Sequence, residues 1–88
     1  LTYRVELSDR ARKDFNCLDR NLQRRIGARI DELAHTPHDS RISGTLTGAG
    51  VLRKSRVGGW RIIFTVDDER RVVSLVTIER RGQVYKRL

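Results

Sequence analysis

The sequence predicts a single α+β domain over residues 1–88, with two N-terminal helices packed on a small, mostly antiparallel sheet that ends in a three-stranded meander. Three observations lead there. The chain has 88 residues, which gives room for one modest core. Its apolar residues recur at helical spacing in the first half and alternate from residue 51 onward. Glycines and acidic residues then interrupt the alternation at short intervals, as hairpin turns do.

Residues 2–7 alternate with Tyr3, Val5 and Leu7 on one face, the pattern of a half-buried strand. Ser8 is placed to cap a short helix running through about Phe15, and Asp19 to cap a second. In that second helix Leu22, Ile26, Ile30 and Leu33 form an apolar stripe, while Arg20, Arg24 and Asp31 lie on the solvated side. Pro37 ends the helix, and a loop with glycines at 44, 48 and 50 follows. The meander comprises residues 51–57, a tight Gly58-Gly59 turn, residues 60–66, an acidic turn at Asp67, Asp68 and Glu69, and residues 71–78. Gly82 breaks the pattern, leaving 83–88 for a turn or one helical turn.

The formal net charge is +8 and it is unevenly divided. Residues 1–50 carry nine Lys and Arg against seven Asp and Glu, whereas residues 51–88 carry ten against four. A cluster of that kind attracts a polyanion through counterion release. No apolar run reaches the ~20 residues of a membrane span, and the N-terminus lacks a signal-peptide pattern, so the expected location is the cytoplasm. Cys17 stands alone, which rules out an internal disulfide or a cysteine zinc cluster; its place in a helical pattern suggests a buried free thiol.

Lys54 and Arg56 are two apart on one strand and therefore share a side of the sheet. Arg61 follows the Gly-Gly turn on the next strand and can join them, and Arg80, Arg81 and Tyr85 lie at the end of the last. These groups can converge on one phosphate, or they can form a solvated basic face. His35 and His38 flank Pro37, away from the meander, and the three consecutive acids read as a solvated turn with no metal site. Trp60 and Phe64 form a core pair by spacing, although such a pair can also stack a base.

The segment Arg56-Val57-Gly58-Gly59-Trp60-Arg61-Ile62-Ile63-Phe64 resembles the signature of the RelE toxin family, the toxin half of bacterial and archaeal toxin–antitoxin pairs. The opening Tyr3-Arg4-Val5-Glu6-Leu7-Ser8 with Ala11 and Asp14, Leu46 and Gly48 before the meander, and the closing Arg80-Arg81-Gly82-Gln83-Val84-Tyr85-Lys86 fall in family order. The resemblance implies a RelE-like fold and an endoribonuclease that cuts messenger RNA in the ribosomal A site, needs no cofactor, and is silenced by a cognate RelB-like antitoxin. Carried over by residue, it makes Lys54, Arg56, Arg61, Arg81 and Tyr85 the catalytic set, with Arg53, Trp60, Arg80 and Lys86 as further RNA contacts. Trp60 stands where the family has tyrosine, Ser55 where leucine is common, and Arg80 where many relatives have histidine.

RNA is cut without metal when its 2′-OH attacks the adjacent phosphorus, which requires a proton acceptor, cations on the phosphorane and a donor for the leaving 5′-oxygen. Arg56 and Arg61 suit the phosphate. Lys54 and Tyr85 are candidate bases, with reference pKa values near ~10.4 and ~10, and Arg81 a donor or polariser. Groups so poorly matched to neutral pH imply that positioning by the ribosome carries much of the rate, so free RNA should be cut badly. Two alternatives are a ParE-type toxin, which shares the fold and poisons DNA gyrase, and a non-catalytic RNA-binding module. The basic excess also implies an acidic or amphipathic antitoxin segment that wraps the sheet.

Overall fold

The computed structural model describes residues 2–46, 48 and 50–80. Strand β1 (Arg4–Leu7) leads into helices α1 (Asp9–Asn16) and α2 (Arg20–His35); a two-residue strand β2 (Gly44–Thr45) follows, then β3 (Arg53–Val57), β4 (Trp60–Asp67) and β5 (Val72–Arg80). The strands form one five-stranded sheet in the order β1-β5-β4-β3-β2, antiparallel throughout except where β1 runs parallel to β5. Two helices on a mostly antiparallel sheet with a closing meander is the predicted architecture. No helix among the described residues is long and apolar enough to cross a membrane.

Both predicted caps form. The Ser8 hydroxyl accepts from the Ala11 amide at 3.0 Å and donates to the Val76 carbonyl at 2.7 Å, while the Asp19 carboxylate accepts from Leu22 N–H at 2.9 Å. Ser8 therefore starts α1 and pins it to β5 in one residue. Asp14, one turn and a half further on, adds a second tie, its Oδ2 accepting from the Thr77 hydroxyl at 2.8 Å and the Ile78 amide at 3.0 Å. These bonds fix the helical layer over the centre of the sheet. Beneath it lies a core of Ala11, Leu18, Ile26, Leu33, Val57, Ile62, Phe64, Val73, Leu75 and Ile78.

The hairpin registers decide which side chains share a face. Arg53, Ser55 and Val57 on β3 oppose Phe64, Ile62 and Trp60 on β4, so these belong to the helix-covered side. Lys54 and Arg56 oppose Ile63 and Arg61 on the other side. Between β4 and β5 the register slips by one residue, since Phe64 pairs with Leu75 but Ile63 with Thr77. Val76 is the extra residue of this β-bulge, and its carbonyl is the one taken by Ser8.

Three expectations are corrected. Cys17 is exposed, not buried; it is the C-cap of α1, its amide donating to Lys13 and Asp14 carbonyls, and the chain turns there before Asp19 starts α2. The loop before the meander contains β2, which pairs Gly44 with Lys54 and Thr45 with Arg53. The first meander strand begins at Arg53, with Val51 81% exposed ahead of it. From Arg53 onward it pairs with β4 on one edge, and at Arg53 and Lys54 with β2 on the other.

Gly58 takes φ +59° while Gly59 stays out of the left-handed region, as in a II′ hairpin. A methyl group at Gly58 would also approach the Arg25 guanidinium at 2.8 Å, whereas nothing lies within 4 Å of one at Gly59. Gly58→Ala should therefore cost about 1–2 kcal/mol in urea unfolding, with Gly59→Ala close to wild type.

Candidate nucleic-acid interface

The sheet side facing away from the helices carries a row of three charged side chains across three strands. Arg56 on β3 sits opposite Arg61 on β4, which sits opposite Glu79 on β5. Adjacent strands lie about 4.8 Å apart, so neighbours in this row are within side-chain reach. Lys54 is two residues from Arg56 along β3 and points the same way. The structure thus brings together Lys54, Arg56 and Arg61, three of the five residues expected to form the catalytic set. Arg81 and Tyr85 lie outside the described residues, as do Lys86 and the tail 83–88.

The three cations are not equivalent. Arg56 is exposed and Lys54 half-buried. Arg61 is 8% exposed, and its Nε and Nη2 donate to Glu79 Oε2 at 3.1 and 2.9 Å. Glu79 was absent from the sequence-derived set, and no residue-type pattern singled it out. Its position opposite Arg61 comes from the bulge at Val76. An uninterrupted ladder continuing the Phe64–Leu75 register would have set Ile78 against Arg61 and turned Glu79 toward Trp60.

The other expected RNA contacts fall elsewhere. Arg53 opposes Phe64 on the helix side and donates from Nε to the Ser43 hydroxyl at 2.9 Å. Trp60 packs half-buried against the core, as its spacing suggested, with the Arg80 guanidinium carbon 5.9 Å from its ring centroid. Alternation along β3 and β4 separates Arg53 and Trp60 from the Lys54–Arg56–Arg61 side, and the register sets Arg80 against Trp60, so these three do not extend that row.

Beside the row, Lys54 and Arg56 line a cavity of about 270 Å³ with Arg29, Arg41 and Ser43. Arg29 braces it from α2, donating from Nη1 to the Arg56 carbonyl at 2.7 Å and the Ser55 hydroxyl at 3.0 Å, with Nε on Glu32 at 2.9 Å. Arg41 is held by Asp39, with Nη2 2.8 Å from Oδ2. The side-chain bonds from Arg41, supplemented by its amide, hold the Asp39 carboxyl down to about 2. A carboxylate lowered by folding stabilises the fold above its unfolded value near ~3.9 and loses that contribution as pH falls through the folded value. Between about pH 4 and pH 2, Asp39→Asn should therefore show a shallower decline in melting temperature than wild type.

The histidines and the acidic turn form a separate exposed cluster. The Tyr3 hydroxyl donates to Asp68 Oδ1 at 2.6 Å, and His38 Nε2 lies 3.0 Å from both Asp68 oxygens. These bonds hold Asp68 below the usual carboxylate range, chiefly through the tyrosine, and raise the Tyr3 phenol. They tie β1 and the loop after α2 to the β4–β5 turn. Neither histidine approaches the basic row, and no group of three His, Cys, Asp or Glu with metal-binding geometry occurs among the described residues.

The mostly antiparallel five-stranded sheet backed by an N-terminal helix pair is a fold shared with solved RelE toxins. The RelE–RelB complex from Pyrococcus horikoshii matches with a TM-score of 0.79 at 26% identity, covering 94% of this chain and 99% of that one. The RelBE2 complex from Mycobacterium tuberculosis gives 0.81 at 22%, covering 92% and 100%. The isolated E. coli RelE toxin gives 0.78 at 22%, covering 97% and 93%. Residues 5–85 match the family model described as the ParE toxin of the type II toxin–antitoxin system parDE. The chain belongs to this toxin family, within the RelE/ParE superfamily. No curated protein matches the sequence.

Proposed function

We propose that the protein is a ribosome-dependent endoribonuclease toxin that cuts messenger RNA by metal-independent attack of a 2′-OH, and that a cognate RelB-like antitoxin neutralises it in the cytoplasm. The observation that carries this reading is the placement of Lys54, Arg56 and Arg61 on one side of the sheet, clear of the helices. The partner assignment draws on relatives solved as RelE–RelB complexes.

The chemistry follows from the charges. As the 2′-oxygen closes on phosphorus, the phosphorane gains negative charge before the bond to the 5′-oxygen breaks. Guanidinium groups fixed in advance stabilise that charge at no reorganisation cost. Arg56 and Arg61 sit opposite each other across the β3–β4 hairpin, and in this reading their two guanidinium charges act together on the phosphate oxygens. The ribosome supplies alignment of the 2′-OH with the scissile bond, which matters most when proton transfer is weakly driven.

A second reading is favoured by one observation. Glu79 offsets the charge of Arg61, leaving a weaker cationic face than the sequence suggests, as a ParE-type gyrase poison acting through protein contacts would tolerate. Incubating the purified protein with translating ribosomes carrying a defined messenger, with and without chelator, separates the two by primer extension. Codon-phased cuts that persist in chelator, with naked RNA largely intact, are expected. An intact messenger together with inhibited DNA supercoiling by gyrase would select the second reading.

A further inference from the structure

We infer that Glu79 is the general base of the RNA-cutting reaction, with Lys54 as the acid on the opposite side of the phosphate; the inference rests on the nuclease reading. Glu79 is the one carboxylate in the Arg56–Arg61 row, and its side chain is 11% exposed. Both hydrogen bonds from Arg61 go to Oε2, while Oε1 accepts none among the described residues. One oxygen is therefore fixed by the residue that grips the phosphate, and the other remains able to take a proton.

The placement meets two requirements of the reaction. A proton acceptor must carry no proton at neutral pH, which ordinary carboxylates satisfy and ordinary lysines do not. In-line displacement also puts acceptor and donor on opposite sides of the phosphorus. Glu79 on β5 and Lys54 on β3 flank β4, two strand spacings apart across the sheet and two residues apart along it, about 12 Å between backbones and within reach of two long side chains, with Arg56 and Arg61 beside that diagonal. A phosphate held by Arg56 and Arg61 lies in the span between the two groups.

The step balances. Glu79 Oε1 takes the 2′-hydroxyl proton as the 2′-oxygen forms its bond to phosphorus. The bond from phosphorus to the 5′-oxygen breaks with its electron pair, and the departing oxygen takes a proton from the Lys54 ammonium. The products are a 2′,3′-cyclic phosphate and a 5′-hydroxyl. Exchange with water then returns a proton to Lys54 and removes one from Glu79. Lys54 thereby becomes the donor, in place of the candidate base suggested by the sequence.

Glutamine at position 79 keeps the length of the side chain and an oxygen for Arg61 but cannot serve as the base, whereas aspartate keeps the carboxylate. Single-turnover cutting on programmed ribosomes is to be compared for wild type, Glu79→Gln and Glu79→Asp, with ribosome association and melting measured for each. Glu79→Gln is expected to cut at least ~100-fold more slowly with association retained, and Glu79→Asp to cut faster than Glu79→Gln even if both melt lower. Equal rates for Glu79→Gln and Glu79→Asp, or a Glu79→Gln loss of association in step with cutting, would reduce Glu79 to a counter-ion that positions Arg61. If the wild type itself leaves the messenger intact, the nuclease reading falls and this assignment with it.

Discussion

Replacing Arg61 with alanine should destabilise the protein by roughly 3–5 kcal/mol and abolish messenger cleavage. The two effects have one source. Arg61 and Glu79 have side chains only 10% and 11% exposed, so removing the guanidinium strands a carboxylate where water reaches it poorly. A domain of this length has a total stability on the order of 4–13 kcal/mol, and the loss is a large part of it. The double variant Arg61→Ala with Glu79→Ala should recover part of the stability, because it removes the stranded Glu79 carboxylate, yet recover no cleavage. Urea unfolding of the two single variants and the double variant measures the coupling directly. If Arg61→Ala unfolds like wild type, the pair does not hold the sheet as described.

Replacing Lys54 and Arg56 together should have the opposite profile. Arg56 is exposed and Lys54 half-buried, and neither side chain forms a salt bridge among the described residues, so Lys54→Ala with Arg56→Ala should leave the melting temperature nearly unchanged. Cleavage should nevertheless fall by ~100-fold or more, since both lost charges face the phosphate. Binding to single-stranded RNA should lose salt dependence as well, by about 0.7 in the log–log slope for each phosphate contact removed. A double variant that still cuts at the wild-type rate would place the chemistry elsewhere on the molecule. If the double variant inhibits gyrase undiminished, the protein-contact reading gains.

Much of the fold was legible because local signals agreed with the global arrangement. Ser8 and Asp19 mark both helix starts, the Leu22–Ile26–Ile30–Leu33 stripe marks the buried side of α2, and alternation marks the strands. The same alternation assigned Lys54 and Arg56 to one side. What stayed hidden depended on partners instead of local pattern. The Gly44–Thr45 strand has little strand character of its own and exists because the edge of β3 offers it hydrogen bonds. The Val76 bulge leaves no mark in the alternation of β5, yet it fixes the register that sets Glu79 against Arg61. A one-residue slip exchanges the faces of a strand, so the charge balance of the site could not be read before the bulge was seen.

The chemistry of the cut ends tests attack by the 2′-OH most directly. Messenger fragments recovered from ribosomes treated with the wild-type protein should be analysed by mass spectrometry, beside a messenger carrying a single 2′-deoxynucleotide on the 5′ side of the cut position. Attack by the 2′-OH predicts a 2′,3′-cyclic phosphate on one fragment, a 5′-hydroxyl on the other, and no cutting at the deoxy position. Fragments with 5′-phosphate and 3′-hydroxyl ends, or cutting at the deoxy position, would contradict it.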